Sequence, residues 1–109
     1  MVEPKDLADR LVRRFVEAVN AGDRDAFFAL LTDDATMSDD GSERNLEEWV
    51  DRELFSANGR MEVESQSDDG RSLIVDVTNS TYGTMRTTWK FTIEGDKVAR
   101  FETGQAPAG

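Results

Sequence analysis

The chain has 109 residues, of which 38% are apolar and 33% charged, and its formal net charge is −10. These values are typical of one globular domain, which we expect to span residues 1–104, with a disordered tail over 105–109. The excess of acidic residues argues against a nucleic-acid partner, because phosphate backbones are held by basic side chains. The chain contains no histidine and no cysteine. This excludes imidazole and thiolate metal sites, histidine-dependent triads and disulfides, so we predict no metal and no cofactor.

Membrane association is not expected either. No apolar run approaches the ~20 residues that a bilayer-spanning helix needs. The first ten residues, MVEPKDLADR, are polar and acidic, unlike a signal peptide. We therefore expect a soluble protein with a cytoplasmic location.

The first half of the chain predicts three helices. After Pro4, apolar residues recur at helical spacing and define one buried stripe: Leu7, Leu11, Val12, Phe15, Val16 and Val19. Asp23 is a favourable N-cap for a short second helix that runs through Leu31. Asn45, with a glutamate three residues later, predicts the start of a third helix whose apolar side ends at Leu54.

The second half of the chain alternates with the period of β-strands. Turn signals at Asp69-Gly70, Tyr82-Gly83 and Gly95-Asp96 separate the alternating segments and predict a four-stranded antiparallel meander. Residues 35–37 could add one short strand before the third helix. Helices followed by a mostly antiparallel sheet predict an α+β domain.

Two segments carry a resemblance to a known family. Residues 12–41 read VRRFVEAVNAGDRDAFFALLTDDATMSDDG, and a later segment reads WKFTIEGDKVAR. Together they resemble the NTF2-like superfamily, above all its SnoaL-like and ketosteroid-isomerase-like branches. The resemblance implies a cystatin-like cone, in which a curved sheet wraps the first helix and leaves an apolar pocket at the open end. It also implies a homodimer formed through the outer face of the sheet.

Candidate pocket walls are the apolar residues that the cone would direct inward: Phe15, Val19, Met37, Trp49, Val77 and Trp89. The alternative is that these residues are ordinary core, because aromatic side chains at helical and strand spacing usually pack inside.

Asp39 is the candidate catalytic residue. Aligned on the D-D-A-T segment, it occupies the position of the carboxylate base in ketosteroid isomerases, where an apolar pocket raises the pKa of such a group. The alternatives are that Asp39 is a solvated loop acid, or that Asp34 or Asp76 carries an acid–base role. The two oxyanion donors of those isomerases are absent, because Phe15 replaces the helix tyrosine and Thr88 or Trp89 replaces the late aspartic acid.

Three functions remain open from the sequence. The first is a protein that binds a small apolar molecule in the cone without demonstrated catalysis. The second is an isomerase, cyclase or dehydratase that uses Asp39 on a carbonyl substrate. The third is a non-catalytic dimerisation or protein-interaction module.

Overall fold

Helices cover one face of a six-stranded sheet in the computed structural model, which describes residues 2–106. The helices are α1 (Arg10–Ala21), α2 (Arg24–Ala29) and α3 (Leu46–Val50), and α3 continues as a π-helical turn over Asp51–Phe55. The strands are β1 (Leu31–Asp39), β2 (Ser42–Arg44), β3 (Arg60–Ser67), β4 (Ser72–Asn79), β5 (Gly83–Glu94) and β6 (Lys97–Gln105). Single 3₁₀ turns occupy Pro4–Asp6 and Asp68–Gly70.

The strand order across the sheet is β2-β1-β6-β5-β4-β3. β1 and β6 run parallel, whereas every other neighbouring pair is antiparallel. The predicted α+β class, the mostly antiparallel sheet and the meander from β3 to β6 are therefore confirmed. β1 is longer than the predicted segment 35–37, and β2 was not predicted.

Side-chain caps fix where the helices begin. Asp23 accepts a hydrogen bond from the backbone of Ala26, and Asn45 accepts one from Glu48, so both predicted N-caps are confirmed. The first helix begins later than predicted, because Asp9 caps it by accepting hydrogen bonds from the backbone nitrogens of the second and third residues that follow. Helix α2 ends at Ala29, short of the predicted Leu31, which instead opens β1.

The core lies between α1 and the inner face of the sheet. Phe15 is fully buried, and its ring centroid lies 4.7 Å from that of Phe27, 4.9 Å from Phe91 and 5.3 Å from Phe101. Strand alternation follows the prediction, with Val75 buried and Asp76 turned to the outer face. The closed end of the cone is therefore filled by side chains.

Strand β6 extends slightly beyond the predicted end of the domain. Gln105 is its last residue, and the backbone nitrogen of Ala106 donates to the carbonyl of Arg86. The rest of the predicted tail, residues 107–109, lies outside the described residues. Within residues 2–106, every helix is too short or too polar to cross a membrane.

Candidate functional site

The register of three strands positions a cavity at the open end of the cone. Asp39 on β1 pairs with Thr103 on β6, and Thr103 pairs with Trp89 on β5. The next row on the same face consists of Met37 on β1, Phe101 on β6 and Phe91 on β5, and all three residues are buried. Side chains two residues apart share a face of a sheet, so both rows point toward the helices. The row Asp39, Thr103 and Trp89 lines the cavity, and the row Met37, Phe101 and Phe91 forms the core beneath it.

The cavity has a volume of about 260 Å³. Its wall combines aromatic, aliphatic and acidic side chains from β1, α3, the π-helical turn, β4, β5 and β6. The lining residues are Asp39, Asp40, Trp49, Glu53, Leu54, Val77, Asn79, Tyr82, Met85, Thr87, Trp89, Thr103, Gly104 and Gln105.

Two tryptophans dominate the apolar part of this wall. Trp49 on α3 and Trp89 on β5 have ring centroids 6.2 Å apart in an edge-to-face arrangement, and both are buried. Tyr82 and Met85 are the two large hydrophobic residues that remain exposed, 58% and 42% respectively, within residues 2–106. Their position at the mouth gives the cavity an apolar rim open to solvent.

Three carboxylates border the other side of the cavity. Asp39 is half-buried, and its Oδ2 accepts a hydrogen bond of 3.1 Å from the indole nitrogen of Trp49. Asp40 has a positive φ of 50° and accepts a hydrogen bond of 2.8 Å from the backbone of Gln105. The Glu53 side chain is 17% exposed, and its nearest cation is the neighbouring Arg52 at 3.8 Å.

The neutral polar groups differ in whether they are already hydrogen-bonded. The indole nitrogen of Trp89 donates to the hydroxyl of Thr87, which in turn donates to a backbone carbonyl of β4. The amide oxygen of Asn79 accepts from two backbone nitrogens of the β4–β5 turn. Thr103 differs from both, because it is only 7% exposed and its hydroxyl forms no hydrogen bond within residues 2–106.

The structure brings some of the predicted site residues together and separates others. Asp39, Trp49, Val77 and Trp89 line the cavity. Phe15, Val19 and Met37 do not line it, and they lie fully or almost fully buried in the core beneath it. The predicted pocket set was therefore a mixture of cavity wall and core, and its role in ligand binding stays a prediction.

Thr103 and Glu53 line the cavity but were not among the predicted residues. Thr103 could have been found from strand parity, because it lies two residues after the inward-facing Phe101. Glu53 follows from no pattern in the sequence, since its position depends on the π-helical turn after α3.

The positions expected to supply oxyanion donors do not do so. Phe15 has no hydroxyl and lies in the core, and the indole N–H of Trp89 is already bonded to Thr87. Thr88 points to the opposite face of β5 from Trp89. Hydroxyl groups do border the cavity, but on Tyr82, Thr87 and Thr103.

The two other carboxylates considered for acid–base chemistry lie away from the cavity. Asp34 is exposed and accepts a hydrogen bond from the hydroxyl of Thr32. Asp76 lies on the outer face of the sheet, where a hydrogen bond with Glu64 raises the pKa of its carboxyl. Among the residues described, no three acidic side chains converge as metal ligands would.

A family described as "SnoaL-like domain" matches residues 12–106. No protein of curated function has a significant sequence match.

Several solved structures share the fold. A Sinorhizobium meliloti protein provisionally named a polyketide cyclase is 24% identical, with a TM-score of 0.75 over 94% of this chain and 99% of that one. An NTF2-like protein of unknown function from Cytophaga hutchinsonii is 17% identical, with a TM-score of 0.73 over 98% and 93%. A Kribbella flavida protein provisionally named a ketosteroid isomerase is 16% identical, with a TM-score of 0.68 over 91% and 77%. At these identities the likeness concerns the fold.

Proposed function

The chain belongs to the SnoaL-like domain family, and from that premise we propose that it binds a small, largely apolar molecule in the cavity at the open end of its cone. The observation that carries the proposal is the cavity itself, with a volume of about 260 Å³ and two buried tryptophans in its wall. Ligand pockets typically enclose ~300–1,000 Å³. The ligand is therefore small, of the size of one substituted aromatic ring.

The wall chemistry supports an apolar ligand held by a few polar contacts. Val77, Met85 and the two tryptophans supply the surface on which such a molecule would be removed from water. Asp39 and the hydroxyls that border the cavity would orient the ligand through hydrogen bonds. This combination of apolar wall and few polar groups is the usual composition of small-molecule sites.

A variant that fills the cavity tests this proposal. Val77 is buried at the cavity wall, and Val77→Phe would place a ring in the space that the ligand needs. In a thermal-shift screen of small aromatic compounds, we expect hits with the unmodified protein that disappear in Val77→Phe. Thr92→Phe, on the exposed outer side of β5, should retain them. A screen without hits, or hits that survive Val77→Phe, would contradict the proposal.

Catalysis by Asp39 is a second candidate function. The observation that favours it is that the Asp39 carboxylate lines the cavity and is oriented by Trp49. The names of two structural neighbours, polyketide cyclase and ketosteroid isomerase, point to carbonyl substrates. A base beside a carbonyl compound could move a proton, although the usual enolate stabilisers are absent and each such donor is worth about 100- to 1,000-fold in rate.

The test of catalysis is Asp39→Asn, assayed for proton exchange next to the carbonyl of any bound ketone. We expect exchange in the unmodified protein and a loss of at least about 100-fold in the variant, in the range of general-base contributions. Asp40→Asn is the matched control at the adjacent residue. Equal exchange rates in the unmodified protein and in Asp39→Asn would remove Asp39 as the base.

A further inference from the structure

We propose that the molecule bound in this cavity carries a protonated amine, which Asp39 and Thr103 hold at the acidic side of the cavity. This inference rests on the proposed function and adds the charge of the ligand. Its basis is that two side chains with unused acceptors lie on neighbouring strands: Asp39, which has one carboxylate oxygen without a hydrogen bond, and Thr103, a buried residue whose hydroxyl reaches the cavity without a partner.

The cavity wall contains negative charge without a matching positive charge. Three acidic residues line it, and no lysine or arginine does. Neither Asp39 nor Asp40 forms an ion pair within residues 2–106, and Glu53 has only Arg52, whose side chain is 55% exposed. A cationic ligand would supply the missing partner, whereas a carboxylate ligand would meet like charge.

Thr103 provides the second and independent observation. Every fully enclosed side-chain nitrogen or oxygen in the described part of the chain has a hydrogen-bond partner. The Thr103 hydroxyl has none, so it must reach the cavity although the residue is 7% exposed. A hydroxyl of an otherwise buried residue that faces a cavity without a protein partner is available to a ligand as a hydrogen-bond acceptor.

Asp39 and Thr103 are placed to contact the same ligand group. They are directly paired across the parallel strands β1 and β6, and neighbouring strands lie about 4.8 Å apart. Trp49 uses only Oδ2 of Asp39, which leaves Oδ1 free to accept. An ammonium group has three donors and no acceptor, so one such group can donate to both side chains at once.

The aromatic wall fits the remainder of the same ligand. Trp49 borders the acidic side and Trp89 the floor. Indole rings attract cations through their faces and also bury apolar surface. A small arylalkyl amine would therefore place its ammonium at Asp39 and its ring over Trp89 and Val77.

Three probes of similar size test the charge of the ligand: the cation benzylamine, its neutral isostere benzyl alcohol, and the anion benzoate. We would titrate each into ¹⁵N-labelled protein and follow the indole N–H signals of Trp49 and Trp89. We expect benzylamine to bind at least about tenfold more tightly than benzyl alcohol, as expected for a charge-assisted hydrogen bond. Benzoate should bind most weakly of the three.

Three single variants test whether Asp39 and Thr103 are the residues that bind the ammonium group. Asp39→Asn and Thr103→Val should each weaken benzylamine binding, Asp39→Asn by about tenfold, while benzyl alcohol binding changes little in Asp39→Asn. Thr103→Val removes a hydroxyl with no partner, so it should fold at least as stably as the unmodified protein. Asp96→Asn removes one charge in the β5–β6 turn, away from the cavity, and controls for general attraction by the acidic chain.

The outcomes separate this inference from the proposed function. If benzyl alcohol binds the cavity as tightly as benzylamine, the cavity is a ligand site and the amine assignment is wrong. The same conclusion follows if Asp96→Asn weakens benzylamine binding as much as Asp39→Asn does. If none of the three probes shifts either tryptophan signal, both proposals are overturned.

Discussion

Trp49 joins the helical layer to the acidic side of the cavity through a single hydrogen bond. Its indole nitrogen donates to Asp39 Oδ2 over 3.1 Å, and the residue itself is 7% exposed. A hydrogen bond to a charged acceptor shielded in this way is worth more than one between neutral groups. The direction of the Asp39 carboxylate therefore depends on a residue that lies ten positions later on another element.

Trp49→Phe tests this dependence, because it removes the donor and keeps an aromatic, although smaller, side chain. We expect the lost hydrogen bond to cost about 1 kcal/mol of unfolding free energy and the smaller ring to add to that loss, as measured by urea denaturation. The double variant Trp49→Phe/Asp39→Asn should lose less than the sum of the two single variants, since both remove the same bond. Strict additivity would show that the bond contributes nothing to stability.

Gly70 is required by both its conformation and its surroundings. Its φ is +88°, and a Cβ at this position would lie 2.6 Å from the backbone nitrogen of Asp9, the residue that caps α1. We therefore expect Gly70→Ala to cost at least about 1–3 kcal/mol of unfolding free energy. Gly83→Ala is the matched control, because φ is +77° there and nothing lies within 4 Å of the added Cβ. Equal losses in the two variants would show that the contact with Asp9 is unimportant.

At the scale of elements, one ion pair connects α2 to the π-helical turn after α3. Arg24 Nε lies 2.7 Å from Asp51 Oδ1, and its guanidinium lies 4.6 Å from the ring centroid of Phe28. The second guanidinium nitrogen contacts Asp51 Oδ2 at 3.1 Å, which makes the pair bidentate. The same two elements are also joined in the core, where the ring centroids of Phe27 and Phe55 lie 5.4 Å apart.

The Arg24–Asp51 pair predicts a pH dependence of stability. The hydrogen bond from Arg24 lowers the pKa of the Asp51 carboxyl below its usual value of 3.8. The folded state therefore favours the charged form, and this contribution is complete above pH 3.8 and is lost as the pH falls through the lowered pKa. We expect Asp51→Asn to lower Tm at pH 7 and to have little effect at the acidic limit. Asp96→Asn, at an exposed residue of the β5–β6 turn, is the control, and a Tm difference for Asp51→Asn that is independent of pH would contradict the linkage.

The sequence predicted elements where local chemistry determines them. The caps Asp23 and Asn45 act within three residues, and the turns at Gly83 and Gly95 separate strands that pair with their neighbours. β1 was underestimated because it contains a polar, acidic stretch, and its pairing partner β6 lies far along the chain. Non-local pairing leaves no local pattern, so it could not be read from the segment itself.

The candidate site, like the fold, was predicted from the sequence only in part. Asp39, Trp49, Val77 and Trp89 were identified from alternation and the family resemblance, and all four border the cavity. Met37 was predicted as one of the apolar residues of the wall, but the strand register places it in the buried row beneath the cavity. The boundary between core and cavity depends on how far the helices cover the sheet, which strand parity does not specify.

At the scale of the whole molecule, the outer face of the sheet stays the predicted homodimer surface. Ile74 is a half-buried apolar residue on this face, and charged side chains surround it, including Glu64 and Arg86, whose ion pair spans 2.9 Å. A dimer formed here would be polar and of modest affinity.

Sedimentation velocity over a range of protein concentrations tests this surface. We expect the unmodified protein to move toward a dimer as concentration rises and Ile74→Lys to sediment as a monomer throughout, because a buried unpaired ammonium is costly. Ser56→Lys, exposed on the helical side, should dimerise normally. A monomer at every concentration of the unmodified protein would remove the predicted dimer.

The parallel pairing of β1 with β6 has a consequence for biosynthesis. Thr36 and Arg100 are bonded neighbours in the sheet although they are 64 residues apart, so on the ribosome β1 emerges long before its partner exists. Until β6 is synthesised, β1 lacks its parallel partner strand and α1 lacks part of the sheet that it packs against. Segments with unpaired strand edges and exposed apolar surface are prone to aggregate. The aspartates at 33, 34, 39 and 40 would keep this segment in solution during that interval, as charged gatekeepers do beside exposed strands. Two of these acids, Asp39 and Asp40, also line the finished cavity, so they would have a first role in the unfinished chain.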